Sequence, residues 1–127
     1  MWHLTRVQDA QIAELMDADQ VWIADGWAAR FGRDPDPADT GYGHTRAQME
    51  SVRPDGPEVL LGYFDATWAR TREFLQGLTP DDLDRVVDER WDPPVTLGVR
   101  LVSIADDDIA HAGQAAYVRG MLSRRRA

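Results

Sequence analysis

The sequence contains no cysteine and no lysine. The first absence excludes a disulfide framework, thiolate metal sites and cysteine nucleophiles. The second places all basic charge on arginine: 14 basic residues face 22 acidic ones, for a formal charge of −8. A chain with a pI near 4.7 is not drawn non-specifically to DNA or anionic lipid, so neither nucleic acid nor membrane is expected as a partner. No apolar run approaches the ~18 residues of a membrane span, and the N-terminus lacks a signal-peptide pattern. Arginine without lysine, with abundant Ala, Asp, Gly and Pro, points to a GC-rich bacterial genome and an expected cytoplasmic location. What is present is ordinary for a globular protein: 43% hydrophobic and 28% charged residues in 127 positions. That length predicts one domain over residues 1–127, able to fold without a metal or disulfide.

Helical signals dominate. From Trp2 to Met16, Leu4, Val7, Ile12, Leu15 and Met16 recur mostly at three- and four-residue spacings, with Arg6, Gln8, Asp9 and Gln11 interleaved. Val21 to Phe31 continues the pattern until Gly32 stops it. Arg33 to Gly43 holds too many breakers for regular structure and reads as a surface excursion, a solvated connection in preference to a lid. Thr45 and Gln48 match a capping box that opens a short helix. Pro57 fits the first turn of a long core helix from Glu58 to Gly77, with Leu60, Tyr63, Phe64, Trp68, Phe74 and Leu75 as its apolar positions and Gly77 as its cap. Thr79-Pro80-Asp81-Asp82 starts another short helix, which Asp92-Pro93-Pro94 ends at the latest. Thr96 opens the last helix, running to about Ser123. Its stripe is Leu97, Leu101, Ile104, Ala115, Val118 and Leu122, all within ~60° of one line at 100° per residue. Arg124 to Arg126 complement the C-terminal end of its dipole. There is no sustained period-two run and no hairpin dipeptide. The expected class is all-α, with three long and two short helical segments in a bundle.

One polar residue interrupts the last stripe. His111 falls almost on its centre line, with Asp107 one turn earlier and Asp108 on the other flank. A carboxylate and an imidazole at i, i+4 can reach a single ion, and bundle metal sites are built from such inward-pointing groups. His3 on the first helix is a candidate third ligand. Three protein ligands with open positions are the catalytic form of a metal site. The same spacing also describes a structural Asp107–His111 pair with no ion. His44, beside Gly41 and Gly43 in a loop, reads as a loop or rim residue.

Trp2-His3-Leu4-Thr5-Arg6-Val7-Gln8-Asp9, Gly41-Tyr42-Gly43-His44-Thr45 and His111-Ala112-Gly113-Gln114-Ala115-Ala116-Tyr117-Val118-Arg119-Gly120 together resemble the DinB superfamily of bacterial four-helix bundles. The superfamily includes YfiT-like metal hydrolases and thiol-dependent transferases and isomerases. The resemblance covers essentially the whole chain. It implies a metal site of three histidines, one on the second helix and two at H-x-x-x-H on the last. His3 and His111 match two of these positions, and the third falls on Asp107. Two imidazoles and a carboxylate suit zinc or nickel, with iron(II) as a third choice. Superfamily members usually carry a helix before the one with the first histidine. The expectation is that the true start lies upstream and stabilises the fold, or that the bundle is completed as a homodimer.

The function implied by the resemblance is metal-dependent transfer of a low-molecular-weight thiol, mycothiol if the host is an actinobacterium, to an electrophilic small molecule. His3, Asp107 and His111 would be the metal ligands. Gln114, Arg119 and His44 are the weaker candidates for contacts to a ligand or substrate. The alternatives are a non-catalytic bundle with a degenerate site, which binds a small molecule or dimerises, and a water-activating metallohydrolase on the same residues.

Overall fold

The computed structural model describes residues 1–125; Arg126, the last of the three arginines assigned to the dipole of the final helix, lies outside them. Three long helices carry the architecture: α1 (Trp2–Met16), α5 (Pro57–Gln76) and α6 (Leu97–Arg124). Between α1 and α5 lie three short helices, α2 (Val21–Ala24), α3 (Trp27–Arg30) and α4 (Arg46–Ser51). A 3₁₀ turn (Pro80–Asp84) and an antiparallel pair, β1 (Val86–Asp88) and β2 (Val95–Thr96), lead into α6. The fold is an all-α DinB-like bundle. Among the described residues, no helix is long and apolar enough to cross a membrane.

The caps act where their chemistry predicts. Thr45 and Gln48 form the reciprocal capping box, Pro57 occupies the first turn of α5, and Thr96 accepts from the Val99 N–H. Gly77 caps α5 with φ −84°, without using the left-handed conformation open to glycine.

Several expectations are corrected. Val21 to Phe31 is two single-turn helices and not one, because Gly26 adopts φ +69° and breaks the backbone between them. The 79–82 start yields a 3₁₀ turn, and the chain between it and α6 pairs as the short ladder that the sequence pattern gave no sign of. In α5 the buried side chains are Tyr63, Thr67 and Thr71, while Trp68 and Leu75 are exposed. In α6 the stripe is buried only at Leu97 and Ile104. Ala115, Val118 and Leu122 are exposed because, among the described residues, no other element packs over the distal half of the helix.

The polar face read on α1 is also not solvated. Arg6, Gln8 and Asp9 are buried, because α2, α5, α6 and the 33–44 segment pack around α1. The core joins Trp2, Val21, Trp22, Trp27, Ala28, Phe31 and Tyr63. The Arg6 guanidinium lies over the Trp22 ring at 4.6 Å. The Asp9 carboxylate accepts from the Val21 and Trp22 N–H groups, 2.8 Å each, and so caps α2 from another helix. Tyr63 Oη donates to Asp9 at 2.7 Å and accepts from Arg6 at 3.1 Å. Burial pushes the Tyr63 hydroxyl well above its ordinary pKa, and the Asp9 charge adds to the shift.

Candidate metal centre

α1 and α6 pack side by side and run antiparallel, as two cross-links show. Arg100 meets Glu14 at 2.8 Å toward one end, and His3 meets His111 at the other, their rings 4.9 Å apart and nearly perpendicular. Asp107 stands one turn before His111 on α6, and its Oδ1 is 3.6 Å from His111 Nε2. One ligand atom each from His3, Asp107 and His111 lies within 4.8 Å of the others, and all three side chains are half-buried. Asp107 and His111, singled out by spacing, and His3, the candidate third ligand, are thus brought together by the fold.

Each imidazole is held from its far side. His3 Nδ1 lies 2.6 Å from the Thr40 carbonyl oxygen. A carbonyl can only accept, so Nδ1 carries a proton, and in the neutral ring the lone pair is on Nε2. His111 Nδ1 faces Gln114 Oε1 at 2.9 Å, an acceptor for a proton on Nδ1, and its Nε2 faces Asp107 Oδ1 at 3.6 Å. Outer partners of this kind orient metal-ligating histidines.

The carboxylates provide a test of fit. Asp107 Oδ2 and Asp108 Oδ1 are buried and, among the described residues, have no hydrogen-bond partner. A buried acceptor without a donor is unfavourable by about 1–3 kcal/mol, more if charged. Two imidazoles with free Nε2 atoms beside such a carboxylate are a donor set that fits a borderline divalent ion. Asp108, by contrast, points into an apolar recess of ≈ 290 Å³ between Leu4, Phe64 and Ile109. Burial pushes its carboxyl up to about 6, and the neighbouring Asp107 charge adds to this.

The remaining candidates are more scattered. Gln114 and Arg119 line a groove of ≈ 610 Å³ that opens beside His111, together with Met1, Val118 and Leu122. His44 stands apart from the three-residue cluster. Its ring stacks on Trp2 at 5.9 Å, and its Nε2 meets Asp39 at 2.8 Å. Burial raises the Asp39 pKa, but hydrogen bonds and charge from Arg33 and His44 outweigh it and hold the group below its ordinary value.

Sequence reasoning missed what positions His3. The segment bearing Thr40 is pinned by Arg6, whose guanidinium donates to the carbonyl oxygens of Asp36, Pro37 and Asp39 at 3.0–3.3 Å. The expected solvated connection is therefore one wall of the site. Gly41, at φ +87°, lets the chain pass so close that an added Cβ would lie 2.9 Å from Trp2 Cζ3 and 3.0 Å from His3 Nδ1. The glycines around Tyr42 were the one available signal.

A DinB-like helical bundle with a paired-imidazole and carboxylate cluster on its α1–α6 seam defines the class of protein. Residues 12–123 match the mycothiol-S-transferase family. The chain belongs to that family, within the DinB/YfiT-like superfamily. The match takes in Asp107 and His111, whereas His3 precedes it. A conserved protein from Enterococcus faecalis of known crystal structure is 37% identical, with a TM-score of 0.85 over 93% of this chain and 69% of that one. No curated protein matches the chain.

Proposed function

We propose that this protein is a metal-dependent S-transferase that moves a low-molecular-weight thiol of the mycothiol kind onto an electrophilic small molecule. The observation that carries the reading is the convergence of His3, Asp107 and His111, with an unpartnered carboxylate oxygen at the cluster. These three residues would hold a divalent transition ion, zinc or nickel before iron(II). Such an ion, when bound, supplies a lowered thiol pKa, so that sulfur attacks as thiolate at neutral pH.

The protein's own groups do the rest. The Thr40 carbonyl and the Gln114 amide oxygen hold the two rings at Nδ1, which leaves Nε2 of each neutral imidazole as the ligand atom. Asp107 brings negative charge to the cluster and moderates the site's affinity relative to a third imidazole. The groove beside His111 receives the electrophile: Val118 and Leu122 offer apolar contact, and Arg119 a guanidinium for an anionic substituent. His44 serves the rim of a smaller recess of ≈ 210 Å³ shared with His3 and Trp2.

A second reading, a non-catalytic bundle that dimerises, is favoured by one observation. Ile109, Val118 and Leu122 on the distal half of α6 are 72%, 52% and 53% exposed. Metal content decides between the two. Plasma mass spectrometry of tag-free protein should give about one equivalent of a transition metal per chain, lost in His111→Ala, followed by thiol-dependent turnover. Absence of metal after incubation with zinc, nickel and iron(II) overturns the transferase reading. Metal-dependent turnover that ignores thiol replaces transferase with hydrolase.

A further inference from the structure

Asp39 is the point at which the 33–44 segment is tied together. Its carbonyl oxygen accepts from Arg6 Nε at 3.0 Å. Its Oδ2 accepts from Arg33 Nε at 2.9 Å and pairs with Nη2 of the same guanidinium at 2.7 Å. Its Oδ1 lies 2.8 Å from His44 Nε2. The next residue, Thr40, carries the carbonyl that takes the Nδ1 proton of His3 at 2.6 Å. One carboxylate therefore joins both ends of the segment, and its own backbone leads directly to an imidazole of the cluster.

The partners of Asp39 rest on α1. The His44 ring stacks on Trp2 with centroids 5.9 Å apart and planes 26° apart, and the Arg33 guanidinium lies 5.4 Å from the Trp2 ring. Trp2 is buried and precedes His3 on the helix. The side chains of Arg33, Asp39 and His44 are only 19%, 16% and 14% exposed, so water competes weakly for the bonds between them.

The other fastenings stop short of Thr40. Arg6 and Gln20 bond the carbonyls of Asp36, Pro37 and Asp39, all of which precede it. The Asp39–His44 bond instead closes the loop 39–44, with Thr40 inside it. A free neutral imidazole prefers its proton on Nε2. His3 carries a proton on Nδ1, so its tautomer depends on where that loop holds one carbonyl.

We infer that Asp39 is a positioning residue of the cluster: by closing the 39–44 loop on His44 and Arg33, it aims the Thr40 carbonyl at His3 and leaves Nε2 of the neutral ring as the ligand atom. The consequence for metal rests on the S-transferase reading, whereas the orientation of His3 does not.

Long-range proton–nitrogen NMR correlation on the full chain, without added metal and at alkaline pH, where imidazoles are neutral, reads the tautomer directly. The His3 signals are those lost in His3→Gln. The expected result is the Nδ1–H form in the parent, conversion to mainly the Nε2–H form in Asp39→Ala, and a partial shift in His44→Phe, which keeps a ring on Trp2. Zinc affinity, by competition with a chromophoric chelator, should fall ~10-fold in Asp39→Ala. A clasp that is structural alone would lower the melting temperature and leave the tautomer unmoved. That result in both variants overturns the proposal, and His44→Phe decides by itself if Asp39→Ala does not fold. A shifted tautomer in a protein whose parent binds no zinc, nickel or iron(II) sinks the S-transferase reading and leaves Asp39 in its role. Zinc binding with an unmoved tautomer removes the role and leaves that reading standing.

Discussion

His3 donates its Nδ1 proton to the carbonyl oxygen of Thr40 at 2.6 Å, across 37 positions of sequence. Thr40 is held there because Arg6, one turn along α1 from His3, clasps the preceding carbonyls of Asp36, Pro37 and Asp39. A fully buried arginine thus sets the tautomer of a half-buried histidine through a loop that both of them touch. Core packing and site chemistry are in this way one structure.

Gly41→Ala should disturb the site directly. The new Cβ meets the Trp2 ring and His3 Nδ1 at 2.9–3.0 Å, at a backbone φ of +87°. Strain of about 1–3 kcal/mol is expected, with metal affinity lowered ~10-fold or more as the His3 ring turns. Gly43→Ala is the control. It has a similar φ of +71° but open space around it, so it should lose stability and keep the affinity. Competition with a chromophoric chelator reads both, and equal affinities would contradict the link between Gly41 and His3.

Removing Arg6 should be among the costliest single changes in the chain. Arg6→Met leaves the Asp9 carboxylate buried and uncompensated and frees the 36–40 carbonyls. Loss of one partner of a buried pair costs about 3–5 kcal/mol. Urea unfolding measures the loss, and hydrogen exchange should show the 36–40 segment opening first.

Gln114→Ala should separate site from stability. The side chain is exposed and bonds only His111 among the described residues, so the apo fold should change by less than about 0.5 kcal/mol. Metal affinity should nonetheless fall 10- to 100-fold as the His111 ring loses its orientation. An unchanged affinity would remove Gln114 from the site.

Acid should weaken the protein through Asp88. Hydrogen bonds from Arg90, side chain and backbone, hold its carboxyl well below the ordinary value of 3.8. The unfolded chain therefore binds the proton first. The stabilisation is complete above the ordinary value and is lost as pH falls through it toward the folded pKa. Asp88→Asn should be less stable than the parent at pH 7 and show a shallower loss between about pH 4 and pH 2, by urea midpoints. An equal decline in both proteins would place the acid sensitivity elsewhere.

The three long helices, their caps and the Asp107–His111 pair were legible because they depend on local chemistry. A hydroxyl before a helix, a proline in its first turn and an i, i+4 spacing act within a few residues of one another. His3 was legible as a partner from the resemblance and from its place on an amphipathic helix. The burial of Arg6, Gln8 and Asp9 was not legible. Alternating polar and apolar residues describe a half-solvated helix, and only the packing of other elements all round α1 turns its polar face inward. The exposed distal half of α6 shows the converse. A stripe of Ala115, Val118 and Leu122 predicts a partner surface, and whether one arrives depends on the rest of the fold.

The sequence by itself determined that this is an acidic, cysteine-free, all-α chain with a carboxylate–imidazole pair on its last helix. Periodicity and capping are short-range, and composition is independent of shape. Only the tertiary structure decided that His3 comes within ligand distance of that pair and that the Thr40 carbonyl fixes its proton. Those relations join residues tens of positions apart. They exist because buried polar groups must find partners wherever the packed chain places them, and here Arg6 finds its partners in the segment that lines the site.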